Sequence, residues 1–392
     1  MKIVVVEATG LSLAFLGCYG ADWVATPTLD SLACEAVVFD SHFADYPLLR
    51  RDEPSSARTG RYGFRPAGAA DLLDLLKARG WTTSLVAPQS VAFADSCLTA
   101  LEGWQQDRSA LLWIDGPSLL PPWSLPGDLL WVYFEDDSKD EEHEEEEDEF
   151  EDDEEFEDDE EEMPSALDAA EATLEPWPDP PRGHVAPLSV ADCRRLRQTY
   201  AAALTFFDAQ LDRLCRAIVN GGWADETLLV VTARSGLPLG EHGVVGDGVP
   251  LLHEERAHLP LLVRFPGERH AGRRVAALTQ PVDLFAGLIE AASAEPVQGD
   301  GRSFLPLLAG ATEEIRSTAY AGLERGRLRE TSLRRRDWAL LLPLRDPEEK
   351  PAEGRLFVKP DDRWEVNDLR LKELELAEEM ERELRDQFGA AE

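Results

Sequence analysis

Short apolar runs alternate along the chain with longer segments in which apolar residues recur every three or four positions. The short runs are rich in Val, Ile and Leu, the composition of strands buried on both faces of a parallel sheet. They predict strands at the following segments: Ile3–Val6, Trp81–Ala87, the start of Leu111–Trp123, and Thr227–Thr232.

The clearest helix is predicted over Val190–Val219. One apolar face recurs there at helical spacing, formed by Leu196, Tyr200, Leu204, Phe207, Leu211, Leu214 and Ile218. Ser189 with Asp192 resembles a capping box, and Asn220-Gly221 should stop the helix. Further helices are predicted from Thr26-Pro27 toward Ala36 and over Ala70–Arg79.

This alternation predicts an α/β fold, a doubly wound sheet over residues 1–315. From about Arg316 the chain becomes strongly charged. Short strands are predicted near Trp338–Leu342 and Gly354–Val358, followed by a last helix over Leu371–Phe388. We therefore expect residues 316–392 to form a small C-terminal α+β subdomain.

The charge is concentrated in one place. The chain has 392 residues and a formal net charge of −38, and 23 of the 28 residues from Glu135 to Glu162 are acidic, with one Lys. This tract carries −22, leaving −16 elsewhere. Its carboxylates repel one another and only Phe150 and Phe156 offer apolar surface, so a disordered insertion is expected. Weak divalent-cation binding and mimicry of a polyanion remain alternatives for it.

The composition also limits location and partners. An acidic surface without a basic stripe disfavours nucleic acid and anionic lipid as partners. The five cysteines show no C-x-x-C pair, which favours reduced thiols. The opening Met1–Val6 does not resemble a secretion signal, and no run approaches the roughly 18 apolar residues of a membrane span. These features predict a cytoplasmic protein.

Several segments carry a family resemblance when taken together. They are LGCYG at Leu16–Gly20, TPTLDSLACEAVVFDSHFA at Thr26–Ala44, TGRY at Thr59–Tyr62, LPLGEHGVVGDG at Leu237–Gly248, LPLLVRFPG at Leu259–Gly267, QPVDLFAGLIEAA at Gln280–Ala292, DGRSFLPLLAG at Asp300–Gly310 and LFVKPDDRWEVNDL at Leu356–Leu369. In this order they resemble sulfatases of the alkaline-phosphatase superfamily. The resemblance covers nearly the whole chain outside the acidic tract. It implies a mixed sheet of the alkaline-phosphatase/sulfatase type and the hydrolysis of sulfuric esters.

Sulfatases hold a calcium or magnesium ion and attack sulfur with a formylglycine made from Cys or Ser. The resemblance places the paired aspartates of the first strand at Thr9 and Gly10, with Glu7 two positions before Thr9. Counting back from TGR, the nucleophile falls on Arg50. The signature for formylglycine conversion is therefore absent.

The later positions differ as well. The family's ligand pair in T-S-D-H-G corresponds to Arg234 and Ser235, and the Lys after L-G-E-H-G corresponds to Asp247. Where sulfatases have His in the central strand, this chain has Trp113–Asp115. A hard dication needs about six oxygen ligands, several of them anionic. We expect the family's metal site to be lost and no cofactor to be bound, and we assign no catalytic residue.

Two roles are open for the arginines that replace these groups. Arg50 and Arg234 could form a pocket that binds a sulfated or phosphorylated ligand without cleaving it. Alternatively, they could pair internally with acidic neighbours, the interpretation we favour. The candidate partners are Asp52, Glu53, Glu7 and Asp247.

Other polar residues are expected to be structural. Glu241-His242 belongs to a turn near the site, and His253 and His42 are expected to pack or to cap. A relocated nucleophile at Ser55, Ser56 or Thr59 lacks a base at any recognisable spacing.

The favoured function is a non-catalytic, sulfatase-like protein of bacterial type that binds an anionic small molecule or acts as a protein scaffold. An active sulfate or phosphate ester hydrolase with a rebuilt site is the alternative. An interaction module that uses the acidic tract is a third possibility.

Overall fold

A computed structural model of the chain describes residues 1–47, 53–64, 71–88, 90–106, 108–134, 174–292, 295, 298–325, 328–344 and 353–389. Arg50, Asp52 and the acidic tract lie outside these residues. The helices are α1 Pro27–Glu35, α2 Ser56–Thr59, α3 Leu72–Lys77, α4 Phe93–Leu101, α5 Val190–Asn220, α6 Glu254–Ala257, α7 Pro281–Ala291, α8 Leu305–Leu308 and α9 Leu374–Gly389. The strands are β1 Lys2–Thr9, β2 Val37–Phe39, β3 His42–Phe43, β4 Thr82–Val86, β5 Ala110–Ser118, β6 Gly183–His184, β7 Thr227–Ala233, β8 Val244–Val245, β9 His258–Leu259, β10 Leu261–Arg264, β11 Arg273–Val275, β12 Ala319–Arg325, β13 Leu328–Arg334, β14 Trp338–Leu344 and β15 Arg355–Val358.

The main sheet has seven strands in the order β11-β2-β10-β7-β1-β5-β4. Strand β1 runs parallel to both β5 and β7, and β10 runs antiparallel to β7 and β2. This mixed sheet confirms the predicted α/β fold. Its central strands are apolar because both faces are covered. On one face pack α1, α4 and α5, and on the other pack α3, α7 and α8.

The helix predictions are largely confirmed. Helix α5 begins at the predicted residue, where the Ser189 hydroxyl accepts a hydrogen bond from the Asp192 amide at 3.0 Å. The predicted helix at Ala70–Arg79 is shorter, since α3 covers Leu72–Lys77. Within the described segments, no helix combines the length and apolarity needed to span a bilayer. All five cysteines are free thiols.

A second sheet follows, antiparallel with the order β12-β13-β14-β15, and α9 packs on it through Ala377, Met380 and Leu384. This confirms the predicted small α+β unit and its last helix. The prediction missed β12 and β13. Strand β12 (AYAGLER) contains two alanines and a glycine, and five of the seven residues of β13 (LRETSLR) are polar, so no run of branched apolar residues marks them.

A buried ion pair ties the start of this second unit to the main sheet. Arg316 donates to both carboxylate oxygens of Asp283 in α7, with the Nε–Oδ2 distance 2.7 Å, and its Nη1 donates to the Tyr62 hydroxyl (2.8 Å) and to Gln280 Oε1 (2.9 Å). Although burial opposes the charged form, the Asp283 carboxylate raises the pKa of Arg316 above its ordinary value. Four of the five N–H groups of the Arg316 guanidinium therefore donate within the protein.

Removing one member of this pair should be costly. Arg316→Ala leaves the fully buried Asp283 uncompensated, and we expect it to lower the free energy of unfolding by about 3–5 kcal/mol. Urea unfolding measures the change. The matched control is Arg61→Ala, because the Arg61–Asp300 pair is long (3.4 Å) and the Arg61 side chain is 40% exposed, so its loss should be within about 1 kcal/mol. Equal losses of unfolding free energy in the two variants would contradict a stabilising role for the buried Arg316–Asp283 pair.

Candidate functional site

Three neighbouring parallel strands bring charged side chains to one edge of the main sheet. In register, Glu7 of β1 lies opposite Asp115 of β5 on one side and Thr232 of β7 on the other. Arg234 directly follows β7. The carboxyl ends of parallel strands are the usual place for a ligand site in an α/β sheet. The three side chains are nearly inaccessible, with at most 8% residue exposure.

The guanidinium of Arg234 lies between the two carboxylates. Its Nη2 donates to Asp115 Oδ2 at 2.7 Å, and its Nε is 3.4 Å from Glu7 Oε2. Its Nη1 donates to the backbone carbonyl of Glu53 at 2.9 Å. Of the partners predicted for Arg234, Glu7 is therefore found as an ion pair and Glu53 through its main chain. Asp115, its nearest ionic partner, was missed as a partner.

Burial raises the pKa of Glu7 above its ordinary value. Arg234 and a hydrogen bond from Ser55 act in the opposite direction, and the charge of Asp115 adds to the increase. Two carboxylates and one guanidinium would carry a net charge of −1 if all were ionised. A proton retained by Glu7 reduces this imbalance. Burying a protonated carboxyl group costs much less free energy than burying a net charge.

Ser55 is the half-buried member of this group. It precedes α2, and its hydroxyl donates to Glu7 Oε2 at 2.9 Å. The prediction that no base lies beside these hydroxyls is therefore wrong for Ser55. It is also wrong for Ser56, whose hydroxyl donates to the Asp45 carboxylate, whereas Thr59 donates to the Ser55 carbonyl.

Thr9 and Gly10, which the sequence resemblance aligned with the paired aspartates of sulfatases, make hydrogen bonds through their main chain. The Thr9 carbonyl accepts from the Leu119 amide at 2.8 Å, and the Gly10 amide donates to the Ser235 carbonyl at 2.9 Å. Gly10 has a φ of +77°, and a Cβ there would lie 2.9 Å from a methyl group of Leu120. An aspartate at position 10 would be strained in this backbone.

The remaining predicted positions do not join a metal site in the part of the chain that the structure describes. Ser235 is buried, and its hydroxyl has no hydrogen-bond partner among the described residues. Asp247 is half-buried and lies in the turn after β8. Arg50 lies outside the described residues. Among the described residues, no three His, Cys, Asp or Glu side chains are grouped so that they could hold a metal ion.

A second polar cluster joins the two sheets, and we call it the junction. On the main-sheet side it contains His242, His253 and Glu254, and on the other side Lys359 and Glu365. The imidazoles of His242 and His253 stack with centroids 3.5 Å apart, and His253 Nδ1 is 2.6 Å from Glu365 Oε2. Lys359 pairs with Glu254 and, at 3.0 Å, with Glu365. The polar contacts of His253 and its neighbours are thus made to other side chains of the same chain.

The junction also buries two carboxyl groups whose pKa values are shifted upward. Burial raises the pKa of Glu330 to about 7 and that of Glu255 to about 8. Glu330 lies 3.7 Å from the Arg355 guanidinium and accepts from the Leu252 amide.

In the LGEHG turn, Glu241 contacts Arg197 of α5 at 3.0 Å. His42 is fully buried, and its Nδ1 is 3.0 Å from the Thr279 hydroxyl.

Comparison with known protein families and curated proteins points in one direction. A family model described as Sulfatase matches residues 137–294. The chain is 32% identical over 130 residues to the multifunctional alkaline phosphatase superfamily protein PehA of Trinickia caryophylli, covering 32% of this chain and 25% of PehA. It is 31% identical over 110 residues to an N-acetylglucosamine-6-O-sulfatase of Bacteroides thetaiotaomicron, covering 28% of this chain and 19% of that protein. The match thus spans a quarter or less of these relatives.

Solved structures with the same fold cover the chain almost completely. The phosphonate monoester hydrolase of Agrobacterium radiobacter superposes with a TM-score of 0.70 at 16% identity, covering 99% of this chain and 96% of that one. A 2-O GAG sulfatase superposes with a TM-score of 0.72 at 16% identity, covering 100% and 92%. At this identity the superpositions show the fold.

The contacts of Arg234 predict a large effect on stability. Arg234→Ala leaves Glu7 and Asp115 buried beside each other without a cation, and we expect a loss of about 3–5 kcal/mol at pH 7. Adding Glu7→Gln should recover part of this loss, because only one buried carboxylate then remains. Urea unfolding of the single and double variants measures both changes. A single variant within 1 kcal/mol of the parent would show that the guanidinium does not balance these charges.

The pKa of Glu330 predicts a pH dependence with a definite sign. The folded carboxyl keeps its proton up to about pH 7, whereas the unfolded one has an ordinary pKa of 4.5. The contribution of protonated Glu330 is therefore complete below pH 4.5 and is lost as the pH rises through 7. The neutral variant Glu330→Gln avoids this loss. Its stability relative to the parent should rise by about 2 kcal/mol between pH 5.5 and 7.5 in urea unfolding.

The control for this measurement is Glu375→Gln, on the exposed first turn of α9. Its stability relative to the parent should not change with pH. If the stability of Glu330→Gln relative to the parent were also independent of pH, the result would contradict a protonated Glu330 in the folded state.

Proposed function

We propose that this chain is a non-catalytic member of the sulfatase family of the alkaline-phosphatase superfamily, to which it is similar, and that it works by binding or scaffolding. The observation that carries this proposal is the guanidinium of Arg234, held between the buried carboxylates of Glu7 and Asp115. The guanidinium, a cation that is part of the protein, lies at the sheet edge where sulfatase chemistry requires a bound metal ion.

The residues present do not fit the family's calcium or magnesium ion. Such an ion takes six or more oxygen ligands, several of them anionic. Here Glu7 and Asp115 are already paired with a guanidinium, and a dication placed between them would be repelled by that charge at a distance of a few ångström. Gly10 contributes its main chain alone. We therefore propose that the metal site is lost.

The same contacts favour internal pairing over an anion pocket. All three guanidinium nitrogens of Arg234 lie within 3.4 Å of a protein oxygen, and its side chain is 6% exposed. An incoming sulfate or phosphate would have to displace Asp115 or Glu7. It would also have to approach two buried carboxyl groups, which disfavours an anion at this place.

One observation favours a second candidate, a metal-independent hydrolase that uses Ser55 as nucleophile. The Ser55 hydroxyl is half-buried and lies 2.9 Å from Glu7, within reach of a general base. Arg234 could then stabilise negative charge that develops beside it. Against this role, the charge of Arg234 lowers the basicity of Glu7, and the raised pKa of Glu7 favours its protonated form, which cannot accept the Ser55 proton.

Turnover of 4-nitrophenyl sulfate and 4-nitrophenyl phosphate distinguishes these functions. The parent chain, Ser55→Ala and the control Ser124→Ala, at an exposed serine, are assayed with calcium, magnesium or EDTA. We expect all three proteins to remain at the buffer rate under every condition, because neither an activated nucleophile nor a free cation is available.

Two results would contradict the proposal. Turnover that calcium or magnesium supports and EDTA abolishes would show that the metal route operates. Turnover that resists EDTA and disappears in Ser55→Ala, while Ser124→Ala keeps it, would establish the Ser55 hydrolase.

A further inference from the structure

An exposed aromatic patch precedes the acidic tract along the chain. It consists of Trp23, Leu129, Trp131, Val132 and Tyr133. The first four side chains are large and apolar, and each is between 38% and 49% exposed. The Trp23 and Tyr133 rings are in edge contact with centroids 6.0 Å apart. A contiguous group of exposed apolar side chains is a common mark of an interaction surface.

The patch is held in place by the helices beneath it. The Tyr133 hydroxyl accepts from the Ala25 amide at 2.8 Å and is 2.7 Å from the Thr205 hydroxyl of α5. The Tyr133 carbonyl accepts from the Gln198 side chain at 2.7 Å. On its other side, Trp23 contacts Phe15, with centroids 5.6 Å apart. Since the exposed rings are already fixed, a partner would not have to order them on binding.

Charge decides which partner fits this patch. Asp22 and Asp128 are exposed and adjoin it in sequence. The sequence that begins one residue after Phe134 carries −22 over 28 residues. In the sequence, the patch is thus bordered by acidic residues. An apolar surface bordered by acidic residues should select a cationic partner.

We propose that the aromatic patch docks a basic amphipathic protein segment, in which lysines or arginines alternate with large apolar residues. The apolar residues of the partner cover Trp23 and Trp131, and its cations face the acidic surroundings. This inference is independent of the state of the Arg234 site, since a chain that hydrolysed esters could carry the same surface.

A second copy of this chain is a poor occupant for the patch. Pairing two patches would bring two sequences of −22 together. Their repulsion would oppose the gain from burying a few aromatic side chains. The charge argument thus favours a partner of opposite sign.

Peptide binding tests the proposal on the full chain. Three synthetic helical peptides are titrated by fluorescence anisotropy: one of leucine and lysine, one of leucine and glutamate, and one of serine and lysine. The variant Trp23→Ser/Trp131→Ser removes the patch, and Trp131→Ser is a milder form. Trp364→Ser is the matched control, because Trp364 is 50% exposed elsewhere on the surface.

We expect the leucine-lysine peptide to bind the parent and Trp364→Ser equally, and the double variant at least about tenfold more weakly. The serine-lysine peptide should bind weakly and should not distinguish the proteins, and the leucine-glutamate peptide should not bind. Raising the salt concentration should weaken the leucine-lysine complex.

Equal binding of the leucine-lysine peptide to the parent and the double variant would overturn the proposal. So would comparable binding of the leucine-glutamate peptide. A parent chain that sediments as a dimer, and a patch variant that does not, would assign the patch to a second copy. Tighter peptide binding after deletion of residues 135–162 would show that the chain covers its own patch.

Discussion

The contact of Arg234 with Glu7 and Asp115 is the constraint on which the character of this molecule depends. Three neighbouring strands end together at one edge of the sheet, and each delivers a charged side chain there. In a buried place such charges are tolerated only when they balance. The guanidinium supplies that balance from within the protein, and the proton favoured by the raised pKa of Glu7 supplies the remainder. Ser55 and the Glu53 carbonyl complete the group, so the edge is closed by the chain's own side chains.

The fold does not depend on this edge. The strands β1, β5 and β7 are apolar along their length and are covered on both faces by helices, so their packing is independent of the groups at their ends. This independence explains how segments that resemble those of sulfatases can occur along nearly the whole chain while the residues at Thr9, Gly10, Arg234 and Ser235 differ from the expected ones. The fold identifies the scaffold, whereas the side chains at the site determine its chemistry.

Much of the scaffold could be predicted from the sequence because its signals are local. The apolar run before Ala233 and the period of α5 each identify an element without knowledge of its neighbours. Strands β12 and β13 were missed because their small and polar residues do not form the run of branched apolar residues that identifies a buried strand. The Arg234–Asp115 pair was missed because it depends on strand order: β1 lies between β7 and β5, and one sequence does not reveal this. A signal existed, since Glu7 and Asp115 each follow a run of apolar residues that would end at the same edge. The proximity of Ser55 to Glu7 could not be predicted, because the two residues are 48 positions apart in the sequence and α1, β2 and β3 lie between them along the chain.

The central claim is that Arg234 takes the place of a free cation at this edge. The most direct measurement is a crystal structure of the chain from crystals grown with manganese, with data collected near the manganese absorption edge. We expect guanidinium density between Glu7 and Asp115 and no anomalous peak there. An anomalous peak coordinated by these carboxylates, with Arg234 displaced, would contradict it.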